Sequence, residues 1–261
     1  MTMTHTPTTP MPVHGSADGS PLSEMHDSET GYSALVHVPA AASSNVPLPL
    51  LVHLHGAGEA GSHVWGIVSE GQTGTPLNEL HFGRACKQLA NEFVVVGPQS
   101  PHSMFDTDKV SAFTANFLRK PPTGLTLDPN RVIIAGHSNG ASAALSVAAR
   151  GIRGIRPFAA CVPCAPGGCR ELEGLKGCPV WVFHGVNDVV LPVRCADQIV
   201  QTLRQINGSH DELLVRYTRI DNCPYPPSYP HLTGHGTPIA AFATDGIFEW
   251  MQEQSAQSRR A

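Results

Sequence analysis

Charge is scarce in this sequence. Only 15% of its 261 residues are Asp, Glu, Lys or Arg, against roughly 25% in an average soluble domain. Seventeen basic side chains against 21 acidic ones leave a formal charge of −4, which gives no basic footprint for nucleic acid. No Lys or Arg precedes Arg84, and the N-terminal stretch has no apolar block. A secretory leader needs both features and a transit peptide needs arginine, so the expected address is cytoplasmic. No apolar run approaches the ~18 residues of a membrane span. Glycine (25) and proline (23) fall short of the ~25–30% that marks low complexity, yet they promise many sharp turns. Collagen, coiled coil, membrane protein and wholly disordered chain are thereby excluded. The length suits one large domain with a sizeable core.

Cysteine is also sparse for a disulfide scaffold: seven, an odd number. Four lie close together, Cys161, Cys164, Cys169 and Cys178. A zinc site wants two close pairs of thiolates. Here the second pair is widely spaced and no partner C-x-x-C follows, so the cysteines read as reduced thiols, with a local disulfide or a metal as alternatives. No metal and no cofactor is expected.

Residues 1–30 hold six Thr, four Ser and four Pro, and among Val, Ile, Leu and Phe only Val13 and Leu22. Such a segment buries too little surface to offset its ordering entropy, and it reads as a flexible tail. Residues 31–253 read as one domain and 254–261 as a polar C-terminal tail. Within the domain, β-rich runs alternate with helical ones. Strands are expected at 32–38, 48–54, 93–96, 131–135, 158–162, 180–183 and 213–218. Helices are expected at 79–91, 109–118, 139–149, 193–206 and 237–252. That alternation argues an α/β domain with a mostly parallel sheet. The loops at the carboxyl ends of its strands are where a site is built.

The strongest local signal is R-V-I-I-A-G-H-S-N-G-A-S-A-A-L, which carries G-x-S-x-G as Gly136, His137, Ser138, Asn139 and Gly140. A β-branched strand precedes it and an Ala-rich helix follows, the context in which such a serine is a nucleophile on a strained strand-to-helix turn. A second signal, L-L-V-H-L-H-G-A-G-E-A-G, ends a strand in a Gly-rich loop. Its free backbone N–H groups suit an oxyanion hole, with Ala57 as the remote donor (Gly58 as fallback) and Asn139 as the near one. His55 reads as structural, holding that loop by a hydrogen bond. A serine needs a base, and the base an orienting carboxylate. Asp188 follows the strand at 180–183 in H-G-V-N-D-V-V-L-P-V. The base is sought near the end of the chain, in H-L-T-G-H-G-T-P; His235, between two glycines and just before the closing helix, is preferred to His231. Candidate pocket residues are Trp65, His102, Phe105 and Tyr229, each equally readable as loop packing.

These residues, in the order Ser138, Asp188, His235, resemble the α/β-hydrolase superfamily over most of 31–253. H-G-A-G-E-A-G, G-P-Q-S-P and D-P-N-R-V-I-I-A-G-H-S-N-G are similar to its small, lid-poor esterase branch, which includes phospholipase/carboxylesterase-like, polyhydroxybutyrate-depolymerase-like and feruloyl-esterase-like proteins and predicted serine peptidases. His235, Phe242 and Trp250 match that branch's closing layout. Asn139 departs from it, since methionine is common after the serine. The resemblance implies an α/β-hydrolase fold, a mostly parallel sheet flanked by helices with no separate lid domain. It also implies a serine hydrolase cleaving a small-molecule ester through an acyl-enzyme. A peptidase or thioesterase on the same triad, or a non-catalytic binding protein of the same fold, stays open, as does the oligomeric state.

Overall fold

The computed structural model describes residues 13–15, 21–43, 45–68, 74–153, 157–208 and 213–257. A nine-stranded sheet runs through it: β1 (Val13–Gly15), β2 (Leu22–Asp27), β3 (Tyr32–His37), β4 (Leu48–Leu54), β5 (Val94–Pro98), β6 (Leu127–His137), β7 (Ala160–Cys164), β8 (Val180–Gly185) and β9 (Val215–Ile220). The spatial order is β1-β2-β3-β5-β4-β6-β7-β8-β9. The first three strands join antiparallel, and β5 onward is parallel. Seven α-helices accompany it among the described residues: α1 (Pro76–His81), α2 (Lys87–Glu92), α3 (Thr107–Arg119), α4 (Asn139–Arg150), α5 (Arg194–Ile206), α6 (Thr237–Ala241) and α7 (Ile247–Glu253).

Both faces of the central parallel strands are covered, so their buried runs are largely apolar, whereas the edge strand β9 is half-buried and carries Arg216 and Arg219. Alternate side chains go to opposite faces. Val132 and Ile134 of β6 belong to the buried cluster that holds Phe113, Phe117, Leu145 and Leu203 on one side. Ile133 and Ala135 belong to the one that holds Leu77, Phe248 and Met251 on the other. In α5 the buried residues are Ala196, Ile199, Val200 and Leu203, the spacing of one helical stripe.

The chain turns from β4 outward to β5, then returns to lay β6 on the opposite side of β4. At such a reversal the loops beyond the two strand ends diverge and open a crevice. The loops after β4 and β6 are those of H-G-A-G-E and G-H-S-N-G, so topology alone brings the two motifs together.

Two helices expected to be continuous are each broken in two. The run 79–91 divides into α1 and α2, and 237–252 into α6 and α7. Gly246, at φ +77°, caps the start of α7; a left-handed residue cannot continue a helix. The break lets Phe242 and Phe248 stack, with ring centroids 6.3 Å apart.

The domain limits also need correction. Within 1–30, residues 13–15 and 22–27 are strands of the sheet. Leu22 and Met25 are buried, and β2 pairs along its whole length with β3. Counting Val, Ile, Leu and Phe missed this, because a sheet recruits a strand through backbone hydrogen bonds and two well-placed apolar side chains suffice. Asp27 ties the hairpin to the domain: its carboxylate accepts from the Thr30 hydroxyl at 2.7 Å and the Asn116 amide at 3.0 Å. At the other end Ala256 is buried and its N–H donates to the Asn130 carbonyl, so the domain extends past 253. Of the two expected tails, residues 1–12, 16–20 and 258–261 lie outside the described residues.

Deleting residues 1–30 should therefore destabilise the domain. Losing the burial of Leu22 and Met25 alone costs about 3 kcal/mol or more, or a melting temperature lower by roughly 6–12 °C. Thermal unfolding of the truncated and full chains measures this; equal melting temperatures would contradict the placement of β2.

Candidate active site

Ser138 stands between β6 and α4, at φ 56° and ψ −119°. A non-glycine residue holds this conformation only when its surroundings over-determine it. Here they do. A Cβ on Gly136 would lie 2.3 Å from the Gly140 carbonyl oxygen, and a Cβ on Gly140 would lie 2.3 Å from the carbonyl oxygens of both Leu54 and His55. The start of α4 thus packs directly on the end of β4. The Ser138 N–H donates to the Cys164 carbonyl at 2.9 Å, and the hydroxyl is left at the mouth of the crevice.

His235 reaches that hydroxyl from 97 residues away, with Nε2 to Ser138 Oγ 3.0 Å. Its Nδ1 lies 2.8 Å from Asp188 Oδ2. An ionised carboxylate only accepts, so Nδ1 carries the proton and Nε2 is the acceptor that faces the serine. Asp188 Oδ1 takes two further bonds, from the N–H groups of Val190 at 2.8 Å and Leu191 at 2.9 Å. Burial works against the Asp188 charge, but His184, His235 and the Leu191 N–H outweigh it and hold the carboxyl well below its ordinary range. His184, fully buried, donates from Nε2 to the Leu191 carbonyl and lies 3.5 Å from Asp188 Oδ2. The acid and base loops touch at Gly234, where a Cβ would fall 2.4 Å from the Asn187 backbone.

The loop after β4 closes the other side. His55 donates from Nδ1 to the Gly56 carbonyl at 2.6 Å and accepts the Ser100 N–H on Nε2 at 2.9 Å. Ala57 opens a 3-10 turn, Ala57–Glu59, with Gly56 as its N-cap. Asn139 is the first residue of α4, where an N–H has no intrahelical acceptor. Its side chain donates to the Ser103 carbonyl at 3.1 Å, pinning the loop of residues 99–106 over the elbow.

The pocket candidates separate. Phe105 lines a groove of about 550 Å³ that starts at Met104, Asn139 and Ser142 and follows α4 past Ser146 to Arg150. His102 is exposed on the adjoining loop. Tyr229 is exposed on the base loop, with its ring against His231. Trp65 is turned away: its indole N–H donates to Glu24 and its ring meets His81, so it packs the flank of the sheet. Among the described residues no three His, Cys, Asp or Glu side chains are grouped as metal ligands. Cys161, Cys164 and Cys178 are buried and Cys169 is half-buried.

Residue-by-residue reading overlooked three groups. His137, the variable residue of the G-x-S-x-G motif, is buried and donates from Nε2 to the His235 carbonyl at 2.8 Å, so it holds the backbone of His235 in place. His184 braces the acid loop. Glu59 is buried under the loop after β4. A clue to His184 and Glu59 was available: a polar residue at an apolar strand's end or in a Gly-rich loop needs a partner or a role.

No family model matches the chain, and no curated protein does. Among solved structures, a thermostable esterase is similar at 26% identity and a TM-score of 0.67 over 90% of this chain and 62% of that one. The acylaminoacyl peptidase of Pyrococcus horikoshii aligns at 12% identity, TM-score 0.59, over 94% and 41%. A putative dienelactone hydrolase from Klebsiella pneumoniae subsp. pneumoniae MGH 78578 aligns at 14%, TM-score 0.54, over 85% and 93%. The chain spans about three fifths of the length of that esterase. These likenesses and the sheet order place it in one class: the chain has the α/β-hydrolase fold.

Burial drives His53 and His137 down to about 3 and His55 to about 4. These depressed values mean that unfolding takes up protons below pH ~6.5, so stability falls as pH drops. Glu59, raised by burial to about 7, contributes with the opposite sign: its stabilisation is present at low pH and is lost as pH rises through about 7. The histidines outnumber it, so the unfolding free energy should fall by about 3 kcal/mol per pH unit between about pH 6 and 4. Urea titrations across that range measure the slope; a flat profile would contradict the burial of neutral imidazoles. Gly140→Ala should cost about 3 kcal/mol or more, since backbone must move to admit the methyl, and the same titration at pH 7 reads it.

Proposed function

We propose that this chain is a serine-dependent carboxylic-ester hydrolase that works through an acyl-enzyme. The observation that carries the reading is the hydrogen-bonded line from Ser138 Oγ through the His235 ring to Asp188. That line has the atoms in the order general-base catalysis requires.

His235 Nε2 takes the Ser138 proton as the oxygen attacks the ester carbonyl carbon. Asp188 holds the tautomer and stabilises the imidazolium. The tetrahedral oxyanion is received by two N–H groups, Asn139 at the start of α4 and Ala57 at the start of the 3-10 turn. Support for Ala57 comes from its neighbour: the point where a Cβ on Gly56 would stand is 3.6 Å from Ser138 Cβ. Collapse of the intermediate breaks the C–O bond, and His235 gives its proton to the departing alcohol. Water then repeats the cycle on the acyl-enzyme and regenerates Ser138.

Specificity falls to the groove along α4. Its hydroxyl and amide lining beside Met104 and Phe105 suits a small ester with a polar substituent. The acyl and alcohol sides are told apart by varying each in turn. An ester is favoured over an amide because the esterase is the more similar of the solved structures named above.

Labelling by a fluorophosphonate and turnover of p-nitrophenyl acetate test the reading. Both should vanish to background in Ser138→Ala, and kcat should fall about 10⁴-fold in Asp188→Asn. Labelling that persists in folded Ser138→Ala would reject it. Thioester and anilide analogues run in parallel discriminate the thioesterase and peptidase alternatives. Ala57→Pro removes one donor at a helical first position where proline is tolerated. It should cost about 10²–10³ in kcat, whereas equal loss only in Gly58→Pro would move the donor by one residue.

A further inference from the structure

We propose that Glu59 is a positioning residue of the loop after β4, holding the Gly56 backbone so that the Ala57 N–H is presented above Ser138. The proposal rests on the hydrolase reading above and deepens it.

Glu59 is the third residue of the 3-10 turn that Gly56 caps. A glutamate at that position reaches back to the backbone N–H of the cap. The N–H groups of Gly56 and of Glu59 itself face its carboxylate and favour its charge. Oε2 lies 3.1 Å from the point where a Cβ on Gly56 would stand, and that point is 3.3 Å from His137 Nδ1 and 3.6 Å from Ser138 Cβ. The carboxyl group, the Gly56 backbone and the nucleophile therefore enclose one small space, although Glu59 touches no member of the triad.

Space filling does not account for an acid here. Glu59 is only 5% exposed, and Oε1 has no hydrogen-bond partner. No cation forms an ion pair with it among the described residues. An apolar side chain of the same size would avoid the desolvation cost. What the acid adds is an acceptor for Gly56, the residue with the greatest backbone freedom in the loop. The peptide plane that follows Gly56 is already anchored by the His55 bond to its carbonyl. In a trans peptide the C=O and the next N–H point in opposite directions, so that bond turns the Ala57 N–H away from His55. The Glu59 carboxylate packs against the other side of Gly56, and that contact together with the His55 bond leaves the glycine little freedom to swing the donor aside.

The test compares wild type, Glu59→Met and Glu59→Gln in the full chain, on p-nitrophenyl acetate. Inhibition by a trifluoromethyl ketone, which forms a tetrahedral adduct on the serine, and the melting temperature are measured alongside. Methionine keeps the volume and removes the acceptor; the glutamine amide oxygen restores it. Glu59→Met should melt at or above the wild-type temperature, lose about 10–100-fold in kcat with KM nearly unchanged, and lose ketone affinity by a similar factor. Glu59→Gln should recover most of both. The proposal is overturned by a Met variant that is unfolded, as active as wild type, or slowed only through KM, and equally by a Gln variant as slow as Met. Absence of Ser138-dependent turnover in the wild type would overturn both this proposal and the hydrolase reading, whereas Ser138-dependent turnover that Glu59 does not affect overturns this one alone.

Discussion

The close contact between the first turn of α4 and the last carbonyls of β4 governs the rest of this molecule. Gly140 lies against the carbonyl oxygens of Leu54 and His55, so the chain must leave β6 and enter its helix within one residue. Ser138 absorbs that turn in a left-handed conformation. The same contact brings the loop after β4 alongside the serine, since the backbone of Leu54 and His55 leads directly into Gly56. The strained turn at Ser138 and the placement of the loop after β4 beside it are thus two consequences of one packing distance. The topology makes the contact available, because β4 and β6 are neighbours whose following loops diverge.

Around this contact the protein uses buried imidazoles as rigid connectors. His55 joins the Gly56 carbonyl to the Ser100 amide. His137 holds the backbone of His235, and His184 the backbone of Leu191. Where burial forbids charge, an imidazole still offers one donor and one acceptor at a fixed separation. Lysine or arginine would bring a charge needing compensation. Asp188 keeps its charge deep in the site, where two backbone N–H groups and the His235 ring satisfy it. Glu59 differs in kind: burial raises its carboxyl to about 7, and among the described residues no cation comes to meet it.

Much of this was legible from local pattern. The parallel strands announced themselves through short apolar runs such as 94–96 and 132–134, and the serine through a motif set between a strand and a helix. The expected hydrogen-bonding role of His55 matches the bonds it makes. Elements of marginal patterning were less readable. β2 offers few apolar side chains and joins the sheet through its backbone, while the breaks near Gly83 and Gly246 interrupt runs whose helical spacing is otherwise sound. Trp65 follows the loop after β4 in sequence, yet the chain turns before reaching it and sends the indole to Glu24. Proximity in sequence to a site says little about direction.

The sequence by itself determined the class of architecture, the serine and its turn, and a short list of acids and bases on strand-end loops. Those follow from periodicity and from steric demands within a few residues. Only the tertiary structure decided which of the listed groups meet and what holds them there. The distances from Ser138 to His235 and from His235 to Asp188, the inward turn of His137 and His184, and the burial of Glu59 all arise from contacts between segments tens of residues apart. Their separations are set by how strands order themselves in a sheet, a global packing result that no local window of side chains encodes.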